Sequence, residues 1–338
     1  MLSPKPQNPH GKIVKLETPE DCLVYLSEAD LETLSAGLGA NRLITHYLPF
    51  SVEVTQVDSF TVSQDLVYSG LPQIIRCSNL IFDGGSITSF VQLVIKATTT
   101  ALQKTGLKNY QVMLSGSPGS TGTTGVGGQS GPNGTNGQSK SCEDAQNGTN
   151  GQSGFVGGNG GPGGNGTGTP VSSLAFGSIQ LTGQSLLTVI AQGGNGGNGG
   201  TGGTGGNGGS GGNGGNSTST GCHCYTNGGN GGNGGSGGNG GPGGIAGSGS
   251  NFNQSMTITV VSQADRAYLS TNPIAGSPGL PGAGGNGGTG GTGGSGGSGT
   301  KHGHGGSAGS KGSGGNKGGD GTAGSNGALP QISVNVGS

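Results

Sequence analysis

The sequence predicts a mostly β and irregular fold with three parts. These are an N-terminal helical cap, a β-solenoid-like or sandwich part, and three long polyglycine-II helical hairpins that form a bundle. Three observations support this prediction. Glycine accounts for 87 of the 338 residues. From residue 116 onward it recurs at every third position, and short apolar segments interrupt the glycine-rich runs. A period of three residues fits the polyproline-II type of helix.

The N-terminal residues, 1–114, have the composition of an ordinary globular sequence. Thr18 followed by Pro19, Glu20 and Asp21 is typical of a helix start, with an N-cap residue, proline in the first turn and acidic residues there. We therefore predict a helical cap, because a stack of repeats needs a covered end. Short runs rich in Val, Ile, Leu and Thr follow and predict β-strands at 42–48, 52–57, 60–67, 73–82, 90–96 and 110–114. This rhythm favours a solenoid, and a small sandwich is the alternative.

The second predicted domain, residues 115–338, leaves the β-rich part and returns to it three times. Each excursion is a pair of glycine-rich arms joined by a turn, and a short apolar segment follows each pair. The predicted arm pairs are 116–137 with 148–166, 193–215 with 228–244, and 276–297 with 306–327. The apolar segments predict returning strands at 178–190, 256–261 and 331–336.

Glycine at every third residue lets a neighbouring segment approach one face of a polyproline-II-type helix closely. Two glycines in each triplet open a second face. This helix has no internal hydrogen bonds, so its N–H and C=O groups must bond sideways to adjacent arms. Each arm would be about 75 Å long at about 3.1 Å per residue. The main alternatives are collagen, which needs more proline than the 15 present here, and a flexible linker.

The GGN, GGT, GGS and GPGG runs at 193–215, 228–244 and 284–297 resemble those of polyglycine-II proteins. They are similar to the springtail antifreeze protein and to the glycine-rich adhesins at the tips of T-even-type phage long tail fibres. The resemblance covers about the last two thirds of the chain and implies a polyglycine-II bundle there. Residues 1–114 match neither family.

The predicted hairpin turns contain the chemically distinctive side chains of the second domain. If the arms are equal in length, the three turns meet at one distal end. The sequence leaves three states open there: a disulfide from Cys142 to Cys222 or Cys224, a thiolate and imidazole site suited to zinc, or unlinked tips. The predicted binding or cross-linking residues are Cys142, Cys222, His223, Cys224, Tyr225, His302 and His304, and the predicted zinc ligands are Cys222, Cys224, His302 and His304.

Composition narrows the functions to consider. Only 8% of residues are charged and the net charge is −1, which gives no electrostatic reason to expect nucleic acid. No apolar run is long enough for a transmembrane helix, so we expect no membrane insertion. No combination of nucleophile, base and orienting group is visible, so we expect no enzyme, and no cofactor apart from the zinc alternative.

The leading prediction is a non-catalytic extracellular structural protein that self-associates in a surface filament, sheath or matrix. Its place would be outside the cell or on a cell or virion surface. The alternative is a receptor-binding adhesin, such as a phage tail-fibre tip, whose partner is a cell-surface receptor or a glycan. A third hypothesis is ice binding by regular rows of small side chains such as Thr201, Thr204, Thr289 and Thr292.

Overall fold

A computed structural model describes residues 11–17, 50–183, 185–220, 224–250 and 255–337. Half of the 14 strands in the described residues form one seven-stranded sheet in the order β1-β2-β4-β6-β9-β12-β14. β1 pairs with β2 in the antiparallel direction, and all later neighbours in this sheet pair in parallel. Its strands are β1 (Lys12–Leu16), β2 (Phe50–Val62), β4 (Gln73–Asp83), β6 (Leu93–Lys104), β9 (Ser172–Leu181), β12 (Ser255–Val260) and β14 (Gln331–Val336).

A second, five-stranded sheet is parallel throughout and has the order β13-β10-β7-β5-β3. From β2 to β7 the chain alternates between the two sheets, so that each turn of the chain adds one strand to each sheet. Its strands are β3 (Leu66–Tyr68), β5 (Ile87–Ser89), β7 (Val112–Ser115), β10 (Leu187–Gln192) and β13 (Leu269–Ile274).

One hydrophobic core lies between the two sheets. Phe82, Ile95 and Phe176 come from the seven-stranded sheet and Ile87 and Leu114 from the five-stranded one, and all five are buried in the same cluster. The alternating burial along β3 and β7 follows from the two-residue period of a strand. Apolar burial of this kind stabilises the β-rich part, whereas the glycine-rich part needs another source of stability.

The predicted fold class is wrong. Strands account for 31% of the structure and helix for 2%, and no helix in the described part of the chain reaches seven residues. The only α-helix there is α1 (Gln263–Ala267), which follows the N-cap residue Ser262. The predicted helical cap and the predicted strand at 42–48 lie outside the described residues. The predicted strand at 178–190 comprises the end of β9 and most of β10, which belong to different sheets.

The glycine-rich arms are not a bundle of long helices either, because none of their residues is helical in the structure, although they bond sideways to one another as the sequence predicts. Backbone N–H groups of each arm donate to a neighbouring arm and not to carbonyls within the same arm. The arms are therefore cross-bonded segments without a helical ladder. We name them the first, second and third outgoing arms (116–137, 193–215 and 276–297) and the first, second and third returning arms (148–166, 228–249 and 306–327).

The arms continue the two sheets. The three outgoing arms follow directly from β7, β10 and β13, which are neighbours in the five-stranded sheet. The pairing of Ser115 with Gln192 at the end of these strands passes into a bond from the Gly116 N–H to the Gln192 carbonyl, at 2.8 Å. The returning arms lead towards β9, β12 and β14, which are neighbours in the seven-stranded sheet. Two layers of arms thus extend from the two sheets.

Hydrogen bonds with a three-residue period join the arms within each layer and between the layers. In the second outgoing arm, the Gly202 N–H donates to the Ala283 carbonyl in the third outgoing arm, at 2.8 Å. The adjacent Gly203 N–H donates to the Gly158 carbonyl in the first returning arm, also at 2.8 Å. The same two bonds recur along the arm. Sideways bonding thus satisfies both glycine N–H groups of every triplet.

The close approach of the arms explains why these positions are glycine. A Cβ atom on Gly202 would lie 1.9 Å from the Gly241 carbonyl oxygen, and one on Gly203 would lie 2.0 Å from the Val126 carbonyl oxygen. Either distance is impossible without a shift of the backbone. Two inner glycines per triplet are therefore required by packing against arms on two sides.

Candidate functional site at the distal tips

The turns between outgoing and returning arms lie together at the end of the molecule that is farthest from the sheets. We call them the first, second and third tips, at 138–147, 216–227 and 298–305. In the first two tips, β8 (Lys140–Ser141) pairs in parallel with β11 (Ser217–Thr218). The arms place the tips together because equal numbers of cross-bonded triplets separate each tip from its sheet.

A disulfide joins the first two tips. It links Cys142 to Cys224, whose Cα atoms are 5.3 Å apart and which are 82 residues apart in the sequence. This is one of the two pairings that the sequence leaves open. Cys142 has a φ angle of 54°, in the left-handed region that few non-glycine residues adopt. The cross-link closes a long loop at the point where paired arms would otherwise separate first.

The third tip is attached to the second through Thr300, which is buried. The Thr300 hydroxyl donates a hydrogen bond to the Cys224 carbonyl oxygen at 2.6 Å. The same hydroxyl oxygen accepts a bond from the Thr226 N–H at 3.1 Å. The Ser217 and Thr226 hydroxyl oxygens lie 2.6 Å apart, and Ser217 also donates to the Glu143 carbonyl. All three tips therefore form one hydrogen-bonded unit around the disulfide.

Two rings project from this unit. The Tyr225 and His302 ring centroids are 5.1 Å apart and their planes are tilted by 35°. The Tyr225 side chain is 71% exposed. It is one of few aromatic residues, which make up only 4% of the whole chain. An exposed ring pair can stack on a flat apolar surface of a ligand.

The structure only partly addresses the predicted zinc site. Cys222 and His223 lie outside the described residues. The Cys224 sulfur is bonded to Cys142, so it is not a thiolate in this state. Among the described residues no group of three or more His, Cys, Asp or Glu side chains is arranged to hold a metal ion. His304 instead contributes its backbone, which accepts from Gly228 and donates to the Asn227 side chain. The zinc site stays a prediction.

Sequence reasoning missed the role of the asparagines that follow many glycine pairs. Their side-chain oxygens accept hydrogen bonds from backbone N–H groups of the next arm in the same layer. In the returning layer, Asn147 accepts from the Asn230 N–H at 2.7 Å, and Asn230 accepts from the Ser307 N–H at 2.8 Å. In the outgoing layer, Asn136 accepts from Asn213 and Asn213 from Ser295. The asparagine oxygens thus accept hydrogen bonds from the N–H group of the non-glycine residue in a triplet, which the bonds from the two glycine N–H groups do not involve.

A buried carboxylate at the end of the sheets that is opposite to the arms was also missed. Asp265 in α1 accepts hydrogen bonds from the Ile179 N–H at 2.7 Å and from the Ser262 hydroxyl. Burial acts to raise the pKa of Asp265, but the bonds from Ser262 and Ile179 outweigh it and hold the pKa below its usual value. Burial also raises the pKa of the Cys77 thiol to about 11, so this core cysteine is a poor nucleophile at neutral pH.

Comparisons with known proteins give no family. No family model matches the chain, and no curated protein matches it. Among solved structures, the chain matches a springtail antifreeze protein from Granisotoma rainieri, described as a bundle of nine polyproline type II helices whose crystal waters match the ice lattice. The identity is 26% over 57% of this chain and 97% of that chain, with a TM-score of 0.07. So low a TM-score carries no argument about fold or function.

Proposed function

We propose that this chain is a non-catalytic extracellular structural protein whose arms form a stiff projection from a β-sheet base. One observation carries the proposal: the hydrogen-bond ladder between the first two outgoing arms continues from β7 and β10 and reaches the tips without a break. An arm of 22 residues spans roughly 70 Å in an extended conformation. Because neighbouring arms are bonded at every triplet, bending one arm would break bonds to the others.

The disulfide supports a location outside the cell. Disulfides persist in oxidising compartments and on cell and virion surfaces, and this one joins two tips that carry no apolar core. The described residues contain no helix with the length and hydrophobicity needed to cross a bilayer. A stiff, nearly uncharged projection of this kind suits a surface layer, sheath or matrix.

Electron microscopy of the purified, oxidised chain tests the proposal. We expect straight particles in which a rod of about 70 Å extends from a thicker base. The reduced protein should keep the rod and lose definition only at its distal end. A compact base with a featureless, flexible tail in the oxidised protein would contradict the proposal.

A second candidate function is a receptor-binding adhesin, and the exposed Tyr225–His302 ring pair is the observation that favours it. The partner would be a cell-surface receptor or a glycan that stacks on the rings. Replacing Tyr225 with Ser should then abolish binding to target cells. Tyr268, which is 43% exposed near the base, provides the matched control, since Tyr268→Ser should leave binding unchanged. Equal binding by both variants would refute the adhesin reading.

A further inference from the structure

The number of glycines per triplet is lower in the first outgoing arm than in the two middle arms. The second outgoing and second returning arms have two glycines in most triplets, and a Cβ on either glycine would collide with a backbone carbonyl. In the first outgoing arm only one position per triplet is consistently glycine. The position that matches Gly203 in the second outgoing arm is occupied there by Val126, which is 80% exposed. The full row at this edge is Ser117, Ser120, Thr123, Val126, Gln129, Pro132, Thr135 and Gln138.

The opposite edge of the arm layers is closed in the same way. In the second returning arm, a Cβ on Gly237 would lie 2.1 Å from the Gly288 carbonyl oxygen of the third outgoing arm. The matching row of the third returning arm contains side chains with a Cβ at most positions. Its members are Ala308, Lys311, Gly314, Lys317, Asp320, Ala323 and Asn326. Another arm therefore has no room to pack at this edge, and the arms form a closed unit of six.

The edge of the β-rich base at β14 differs from the edges of the arm layers. Among the described residues, no strand pairs with the outer edge of β14, whose sequence QISVNV contains neither a charge nor a proline. Ile332 and Val334 pack against the core from this strand and are only partly buried. The exposed apolar side chains Leu329 and Val336 lie next to or within the same strand. An uncharged, regular edge strand is a template for pairing with another chain.

The other sheet edges are less suited to pairing. β1, at the far end of the same sheet, has Lys12 and Lys15 in its five residues, and lysine on an edge strand disfavours pairing. β13, the edge of the five-stranded sheet on the β14 side, contains Pro273, which lacks a backbone N–H. The remaining edge strand, β3, has neither a charge nor a proline but is only three residues long, and a very short edge strand disfavours pairing. Length, charge and proline content together thus single out β14.

We propose that two copies of this chain pair through β14, antiparallel and related by a twofold axis, so that their arms point in opposite directions. This rests on the proposed structural function and names its partner. A twofold interface places the same strand on both sides. Head-to-tail stacking would instead press the third returning arm of one copy against the first arms of the next. The side chains at both edges exclude that contact, whereas antiparallel pairing keeps the arms apart.

Sedimentation velocity of the full chain tests the proposal. We expect a dimer at tens of micromolar, and electron microscopy should show one rod at each end of a shared base. The double variant Ser333→Lys with Asn335→Lys places like charges opposite one another across the twofold axis and should sediment as a monomer. The control Ala308→Lys with Ala323→Lys adds the same charge at the arm edge and should remain a dimer.

A monomeric wild-type chain, an open-ended polymer, or a dimer that survives the β14 substitutions would overturn the proposal. Loss of the dimer in the arm-edge control would do the same. Circular dichroism and melting curves identify a variant that fails to fold, and in that case Ser333→Lys alone is the substitute. Single straight rods that sediment as monomers would contradict only the proposed pairing through β14. Arms that are seen as flexible tails would contradict the proposed structural function itself.

Discussion

A Cβ atom added to Gly203 would lie 2.0 Å from the Val126 carbonyl oxygen in the adjacent outgoing arm. Replacing Gly203 with alanine must therefore push two arms apart and weaken the bonds on both sides. We expect a loss of about 1–3 kcal/mol in the free energy of unfolding, typical of overpacking, measured by chemical denaturation. Gly319→Ala is the matched control, because nothing lies within 4 Å of a Cβ there. Equal stability of the two variants would show that the arms do not pack this closely.

The disulfide between Cys142 and Cys224 should stabilise the arms from their distal end. Replacing both cysteines with serine should lower the free energy of unfolding by about 2–5 kcal/mol. Hydrogen exchange should locate the effect, with faster exchange of the Gly137 and Gly214 amides near the tips and unchanged exchange of Gly116 near the sheets. The wild-type protein under reducing conditions is the control and should match the variant. Uniform acceleration along the arms would argue against fraying from the tips.

The asparagine ladders should make a smaller contribution. Asn233 accepts a hydrogen bond from the Ser310 N–H at 2.8 Å, and Asn233→Ala removes that acceptor. We expect a loss of about 0.5–1.5 kcal/mol and faster exchange of the Ser310 amide. Asn233→Asp keeps a side-chain oxygen at the same position and should preserve most of the protection. If alanine and aspartate behave alike, the side-chain oxygen has no role in joining the arms.

Asp265 should make the free energy of unfolding depend on pH. Its folded pKa lies below its ordinary value, so the carboxylate stabilises the fold above the unfolded pKa of about 3.9. That contribution is lost as the pH falls through the folded pKa. Asp265→Asn keeps one oxygen for the Ile179 N–H and cannot titrate, so its stability should fall less than that of the wild type below about pH 4. Parallel curves for the two proteins from pH 6 to pH 2 would contradict this role.

Asp265→Ala tests the same residue by a different route. The variant leaves the Ile179 N–H without its bond to the carboxylate, in a buried position that water cannot readily reach. An unsatisfied buried donor costs about 1–3 kcal/mol. Thermal melting at neutral pH should therefore show a larger loss for alanine than for asparagine. A smaller loss for alanine would mean that the hydrogen bond to Ile179 is dispensable.

The sequence predicts several strands where the structure has them because their apolar residues are adjacent, as in β4, or alternate with polar ones, as in β14. The structure has Gln73–Asp83 where the sequence predicts 73–82, and Gln331–Val336 where it predicts 331–336. The sequence does not predict β13, because its residues LSTNPI include a proline and few apolar side chains. The helical description of the arms was wrong for a different reason. The sideways partners of the backbone groups were predicted, but they join the arms as two layers that continue the two sheets and not as a bundle of long helices.

The tip residues could be grouped from the sequence only by assuming arms of equal length. That assumption brings Cys142 near Cys224 and Tyr225 near His302, but it cannot select a disulfide over a metal ion. Thr300 and the asparagines carry no motif, and their importance appears only when hydrogen bonds between arms are followed. One usable signal was overlooked: the first outgoing arm and the third returning arm, which lie at opposite ends of the two layers, have one glycine in most triplets, whereas the two middle arms have two.

Amide hydrogen exchange along the arms tests the central claim that they are one cross-bonded structure. Gly202 and Gly203 donate to Ala283 and Gly158, so both amides should be strongly protected. The Val126 N–H lies on the exposed edge and finds no acceptor in the described part of the chain, so it should exchange freely. We predict the same contrast at Ser120, Thr123 and Gln129 of this row, whereas the Ser117 and Thr135 N–H groups donate to the Thr167 and Thr149 hydroxyls and should be protected. Rapid, uniform exchange at Gly202, Gly203 and Val126 would show a flexible glycine-rich tail and would contradict the account.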